Sequence, residues 1–226
     1  MHFLICMNTK SLRKIFKDER TFKLVILPLI SSASVLKKYQ LLRFLLAEAK
    51  QKRIRKTEIY ETLLQTYLFA GFPSALISLQ IASEYFSFGD LKNQKIDNTK
   101  VAGEKNCKKI YGNKFKKLIS NVNNFSSELS AWLIDEGYGK VLSRKGLSLK
   151  KRELNIIAIL ASLKFENQLY SHINGAFRLG NSLDDIKKII SSLCFTGSRN
   201  AADFGKSVFK TFLIQKKRNT EIKILT

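Results

Sequence analysis

This sequence contains few residues that carry specialised chemistry. It has two histidines, three cysteines and two prolines among 226 residues. The cysteines, Cys6, Cys107 and Cys194, are widely spaced and form neither a CxxC motif nor a metal-ligand pattern. We therefore expect no metal site and no disulfide framework. A reduced, cytoplasmic setting is the simplest interpretation.

Long apolar runs are also missing. Residues 3–6 are too short for the apolar core of an export signal. Residues 24–30 include Pro28 and form a run too short to span a bilayer, so a buried helix end explains them better. The sequence predicts no membrane segment.

Acidic residues are scarce beside basic ones. There are 18 Asp and Glu against 40 Lys and Arg, which gives a net charge of +22. Such a charge suits a nucleic acid or an anionic surface. However, the charge is spread along the chain, and no zinc-finger, RRM or homeodomain signature accompanies it. We interpret it as a solvated basic surface, and nucleic-acid binding is the less favoured alternative.

No segment alternates apolar and polar residues for a full strand, whereas helical spacing recurs throughout, so we predict an all-α fold. Helices are predicted over residues 11–27, ending near Pro28, over 34–52, from Thr57 through Leu68, and from Pro73 to about residue 86, with a break at Gly71. In the second half they are predicted over 105–120, 126–135, 148–164, 167–179, from Ser182, and over about 198–213, with a turn at 137–139.

The two halves resemble tandem repeats that pack as one body. Residues 1–87 are the N-terminal copy, 88–104 a polar linker and 105–226 the C-terminal copy. The segment from Glu58 to Gly71 matches a segment that begins at Asp185, at an offset of 126–127. Phe44 occupies the position of His172 in this alignment. The first copy is therefore predicted to be structural and the second to carry the chemistry.

Glu153 and His172 are the principal candidates for chemistry. They lie on consecutive predicted helices, where Glu153 shares a face with apolar residues, and a buried carboxylate is costly unless it is paired or protonated. His172 is the only well-placed group whose unperturbed charge changes near neutral pH. A desolvated Glu–His pair is a plausible acid–base device. A buried hydrogen bond that only orients two helices remains the alternative.

Three further residues are candidate substrate contacts. Gln168 lies one turn before His172, while Tyr138 and Arg144 flank the same region of sequence. Gln168 can hydrogen-bond a ligand or fill a polar seam. An arginine can grip a carboxylate with two parallel hydrogen bonds, although a surface arginine on a loop is the simpler interpretation of Arg144.

Several motifs resemble one protein family. They are EGYGKVLSRKGLSLKKREL (136–154), preceded by Trp132, QLYSHINGA (168–176), and ETLLQT with AGFPSAL (61–76). They resemble the carboxymuconolactone decarboxylase family, which includes the alkyl hydroperoxidase D-like proteins, as two copies over most of residues 20–213. The resemblance implies helical repeats of the alkyl hydroperoxidase D-like type that assemble as trimers or hexamers. A two-copy chain would then form a homo-oligomeric trimer.

The resemblance also separates two activities. In the peroxidase branch, a glutamate, a CxxC pair and a histidine form a proton relay. The motifs place Glu153 and His172 at the relay positions, with Phe165 and Gln168 at the cysteine positions. Without those thiols there is no nucleophile, so we do not expect antioxidant thiol peroxidase activity.

The decarboxylase branch needs no cysteine pair, metal or organic cofactor. Its substrate is a small lactone carrying a carboxylate, and loss of carbon dioxide leaves a carbanion-like centre that must be protonated. His172 beside Glu153 fits the general acid, and Arg144 fits an anion grip. We predict lyase chemistry on a small carboxylate or lactone without a cofactor. The alternative is a non-catalytic oligomeric member that binds a metabolite or a protein.

Overall fold

The computed structural model describes residues 10–91, 94–196 and 199–225. Every regular element within these ranges is helical, which confirms the predicted all-α fold. In the first half, residues 10–15 are helical. They are followed by α1 (Glu19–Val35), α2 (Tyr39–Gln51), α3 (Lys56–Leu64) and α4 (Tyr67–Ser83).

Several predicted boundaries in this half are wrong, including the start at residue 34, which lies inside α1, and the end at Leu68, because α3 ends at Leu64. Pro28 lies inside α1 and does not end it. Proline removes one backbone hydrogen bond, but residues 25–35 are all buried, and their packing favours a continuous helix. The residue that precedes α3 is Arg55, not Thr57. The predicted break at Gly71 is confirmed, because its φ of 75° and ψ of 170° kink α4.

The second half contains more helices of mixed type. They are a short 3-10 helix (Gly89–Leu91), α5 (Thr99–Tyr111), a 3-10 turn (Gly112–Lys114), α6 (Phe115–Asn123), α7 (Ser127–Trp132), a π-helix (Leu133–Val141), α8 (Leu149–Leu163), α9 (Glu166–Arg178), α10 (Leu183–Ser192), a 3-10 helix (Leu193–Thr196) and α11 (Arg199–Leu225).

The end of the predicted polar linker, 88–104, is helical. Helix α5 begins at Thr99 because the side chain of Asn98 accepts the backbone N–H of Val101 at 3.0 Å. The predicted helix start at residue 105 is therefore wrong. This polar segment has no helical spacing of apolar residues, so the start of α5 was missed. The available signal was Asn98, a residue type that commonly caps helices.

The predicted turn at 137–139 is also wrong, because these residues belong to the π-helix. Gly139 in this segment and Gly103 on α5 serve close packing. A Cβ on Gly139 would lie 2.1 Å from the carbonyl oxygen of Thr99, and one on Gly103 would lie 2.0 Å from that of Ile134. The backbones of α5 and the π-helix therefore touch.

Predictions around α8 and α9 agree with the structure. Ser148 caps α8 by accepting the N–H of Lys151, and Ser182 caps α10 by accepting that of Asp185. Lys164, with a φ of 62°, connects α8 to α9. Helix α8 lies at the centre, packed against α1 and α9, and its residues 152–162 are all buried. Polar side chains on α8 are therefore forced into contact with other buried groups.

Within the described ranges, none of the helices alone has the length and apolar character needed to cross a bilayer. Helices α3 and α4 reach that threshold only when taken together, and they are bent by 119° at their junction.

Candidate functional site

The structure brings Glu153 and His172 together. Helices α8 and α9 are joined by a two-residue connection and pack against each other, which places the His172 Nδ1 atom 2.9 Å from the Glu153 Oε2 atom. The Glu153 side chain is 0% exposed and that of His172 is 7% exposed. The hydrogen-bonded pair predicted from sequence is thus present and almost fully desolvated.

The pair has defined donor and acceptor roles when Glu153 is ionised. A carboxylate only accepts, so the His172 Nδ1 atom then carries the shared hydrogen. In the neutral form of this tautomer, the other ring nitrogen, Nε2, carries no hydrogen and can accept one. The second carboxylate oxygen, Oε1, is buried and has no hydrogen-bond partner among the described residues. Among the described residues, the Glu153 carboxylate is therefore held through Oε2 alone.

Helix α5 and the π-helix supply the surroundings of the pair. Tyr138 on the π-helix donates its hydroxyl hydrogen to the Tyr111 hydroxyl at 3.1 Å, and the Tyr111 ring meets the His172 ring edge to face with centroids 6.2 Å apart. Burial, together with the charge of Glu153, raises the pKa of the Cys107 thiol to about 12. The same causes raise the pKa of both tyrosine hydroxyls. All three groups therefore stay neutral at physiological pH.

Gly175 permits a close approach of α8 and α5 to α9. A Cβ at this position would lie 2.8 Å from the Glu153 Oε2 atom and 2.5 Å from the Cγ2 atom of Ile110. Any side chain here would displace the Glu153 carboxylate and the Ile110 side chain. The lack of a side chain at Gly175 therefore lets Glu153 and Ile110 pack directly against the α9 backbone.

Tyr111 and Cys107 were missed by sequence reasoning. They lie four residues apart and so share one face of α5, but they fall in a stretch dominated by lysines. The apolar spacing of Cys107, Ile110 and Tyr111 was the available signal. A lysine-rich helix such as α5 can therefore still bury the face that carries its apolar residues.

The structure places the predicted substrate contacts in different surroundings. Tyr138 is buried and reaches His172 through Tyr111. Gln168, one turn before His172 on α9, is exposed. Arg144 donates from its Nε atom to both carboxylate oxygens of Glu61, at 3.0 and 3.1 Å.

Arg144 belongs to a second buried polar cluster, between α3 and α8. Arg152, which is 0% exposed, donates to the Glu61 Oε2 atom at 2.8 Å and to the Gln65 Oε1 atom at 3.3 Å. Beside it, the Asn155 amide donates to the Thr62 hydroxyl at 3.1 Å. The sequence analysis missed this cluster, because Arg152 follows two lysines and precedes Glu153 in the charged first turns of α8, where local sequence gives no sign of burial.

Two cavities are described, and neither has Glu153 or His172 in its lining. One has a volume of about 410 Å³ and lies beside Arg144. The other has a volume of about 560 Å³ and lies between α5, α6 and α7, with Lys100, Glu104 and Asp135 at its wall. The His172 side chain itself is 7% exposed.

No cluster of three or more His, Cys, Asp or Glu side chains suitable for a metal ion occurs in the described part of the chain. The chemistry that the residues around His172 can support directly is proton transfer, because a carboxylate and an imidazole share a hydrogen bond there.

No protein-family model matches the chain. A segment of 92 residues, or 41% of the chain, is 30% identical to 4-carboxymuconolactone decarboxylase from Acinetobacter baylyi. The chain thereby spans 63% of the length of that protein. This similarity supports a relationship with the carboxymuconolactone decarboxylase family, in agreement with the all-helical fold.

Proposed function

We propose that this protein is a lyase that decarboxylates a small carboxylated or lactone-like molecule by acid–base chemistry without a cofactor. The observation that carries the proposal is the desolvated hydrogen bond of 2.9 Å between the His172 Nδ1 and Glu153 Oε2 atoms. The named activity of the Acinetobacter baylyi relative supplies the reaction type.

The proposed step has a balanced course. The bond between the substrate carbon and its carboxylate breaks, carbon dioxide leaves, and the electron pair is delocalised into the adjacent unsaturated lactone carbonyl. The His172 Nε2 atom then donates a proton to the carbon, and Glu153 stabilises the imidazolium form that precedes this transfer. Solvent returns the proton to His172 afterwards.

The lack of a suitable thiol disfavours peroxidase activity. The positions that correspond to the CxxC cysteines are occupied by Phe165 and Gln168. The thiol beside Glu153 is Cys107, which is buried and has a raised pKa, so little thiolate is available there.

The proposal includes two tandem copies within the chain and a trimer of such chains. The Ser32 and Ser162 hydroxyls, 130 residues apart, hydrogen-bond at 2.6 Å where α1 and α8 cross. The sequence separation of the two serines is close to the repeat offset of 126–127. The two serines would then occupy nearly equivalent positions on α1 and α8, the corresponding helices of two copies. Phe125, Leu129 and Trp132 are exposed apolar side chains on and beside α7 that favour contact with other chains in a trimer.

The direct test is turnover of 4-carboxymuconolactone, followed as loss of the lactone and release of carbon dioxide. We expect His172→Gln to lower kcat by roughly 10²–10⁴-fold, the usual contribution of a positioned general acid. The matched control is Ser171→Ala, a half-buried neighbour on α9 whose hydroxyl donates to the Asn167 carbonyl.

Unchanged turnover in His172→Gln would refute the role of the pair. Absence of carbon dioxide release from this lactone and from a panel of small unsaturated carboxylates would refute the lyase proposal.

A non-catalytic binding protein is the second candidate. The observation that favours it is the 7% exposure of the His172 side chain, since neither described cavity reaches the pair. An NMR titration of His172 that does not respond to any small carboxylate, in a protein without lyase activity, would support this second function.

A further inference from the structure

We propose that the cavity beside Arg144 is a second site, which binds a small organic carboxylate with an aromatic or apolar body. The cavity is distinct from the Glu153–His172 pair, because neither residue lines it. The proposal does not depend on the lyase function.

Arg144 presents unused donors to this cavity. Its Nε atom donates to Glu61, whereas its Nη1 and Nη2 atoms donate to no side chain or carbonyl group within the described residues. These two atoms carry four N–H groups. The side chain is only 13% exposed and lines the cavity, with its guanidinium over the Tyr60 ring. A carboxylate in the cavity can accept two parallel hydrogen bonds from it.

The charge around the cavity favours an anion. Arg144 and Lys140 line it, and Arg152 lies behind Arg144 on the shared partner Glu61. The opposing carboxylates are Glu61, which both arginines already contact, and Glu136, which accepts the Tyr67 hydroxyl at 2.5 Å. Three cations therefore face two carboxylates, and no acidic side chain from the described part of the chain lines the cavity itself.

The remaining walls suit an apolar body. The Tyr67 and Phe72 rings, which both line the cavity, stack with centroids 5.0 Å apart and an interplanar angle of 26°. Phe72 is 65% and Leu76 is 63% exposed, so an apolar ligand would shield both side chains from water. A volume of about 410 Å³ is within the range of small-molecule sites.

The probe is 4-fluorobenzoate, observed by ¹⁹F NMR at low salt, with uncharged 4-fluorobenzyl alcohol as its comparison. We expect a Kd on the order of a millimolar for the acid and much weaker binding of the alcohol. Arg144→Gln should weaken binding of the acid at least about tenfold. The control is Arg13→Gln, because Arg13 also donates from Nε to a glutamate, Glu48, and covers a phenylalanine ring, but lines neither described cavity.

A charge-reversed pair of variants keeps the test valid if Arg144→Gln unfolds. Leu76 is largely exposed, so Leu76→Glu and Leu76→Lys should both fold. The glutamate should weaken binding of the acid, and the lysine should retain it. Equal binding in these two variants overturns the proposal. A second outcome also overturns it: the unmodified protein self-associates and does not bind the acid, and Leu76→Glu abolishes the self-association. The cavity face would then be a contact with a second copy of the chain.

Discussion

Replacing Glu61 by glutamine tests whether the buried cluster between α3 and α8 depends on its single carboxylate. Glu61 accepts from Arg144 and Arg152, and the Arg152 side chain is fully buried. Glutamine has nearly the same shape but no charge. The variant therefore keeps the packing and leaves a buried guanidinium with neutral acceptors only, which are the Gln65 side chain, the Arg144 carbonyl and the amide oxygen of the introduced glutamine.

The expected cost is large. Removing one partner of a buried ion pair destabilises a protein by about 3–5 kcal/mol, because the remaining charge stays desolvated. Arg144 can turn towards its cavity and recover some hydration, so we expect a value of about 3 kcal/mol, at the lower end of this range. That is a substantial part of the roughly 5–15 kcal/mol that stabilises a typical domain.

The assay is urea unfolding followed by far-UV circular dichroism, which reports directly on a helical protein. The control is Glu104→Gln, which removes the carboxylate of an exposed pair with Lys108 at 2.9 Å on α5 and should shift the midpoint little. If Glu61→Gln and Glu104→Gln have the same midpoint and slope, the cluster does not stabilise the fold through charge, and the reasoning is refuted.

Two further outcomes follow from the surroundings of the pair. Gly175→Ala should lower the free energy of unfolding and change the NMR signals of the His172 ring, because the added Cβ would overlap Glu153 and Ile110. The control is Gly89→Ala, whose added Cβ meets no atom within 4 Å and should change neither. Equal effects of the two substitutions would contradict this prediction. Because the pKa of Cys107 is raised to about 12, only roughly one part in ten thousand of this thiol is thiolate at pH 8. Alkylation of Cys107 followed by peptide mapping should therefore be slow in the folded protein, faster as pH rises, and faster at fixed pH in Glu153→Gln, since loss of the negative charge lowers the pKa. Rapid alkylation at pH 8 in the folded protein would contradict the burial argument.

The amino-acid sequence determined the helical class, the helices α8 and α9, and the pairing of Glu153 with His172. These follow from short-range rules. Apolar spacing defines a helix face, Ser148 and Ser182 mark helix starts, and a short connection forces consecutive helices together. A carboxylate and an imidazole on facing stripes then have few other partners.

Tertiary structure decided what surrounds that pair and where Arg144 belongs. Pro28 remains inside α1 because long-range packing outweighs a local preference. Gly137 and Gly139 lie in a π-helix against α5, where a turn was predicted from their local conformational preference. Glu61 meets Arg144 and Arg152 across 83 and 91 residues of sequence, and no local period encodes such a contact. The charge of a buried group must be balanced by whichever groups the fold brings to it, and only the packed helices specify those groups.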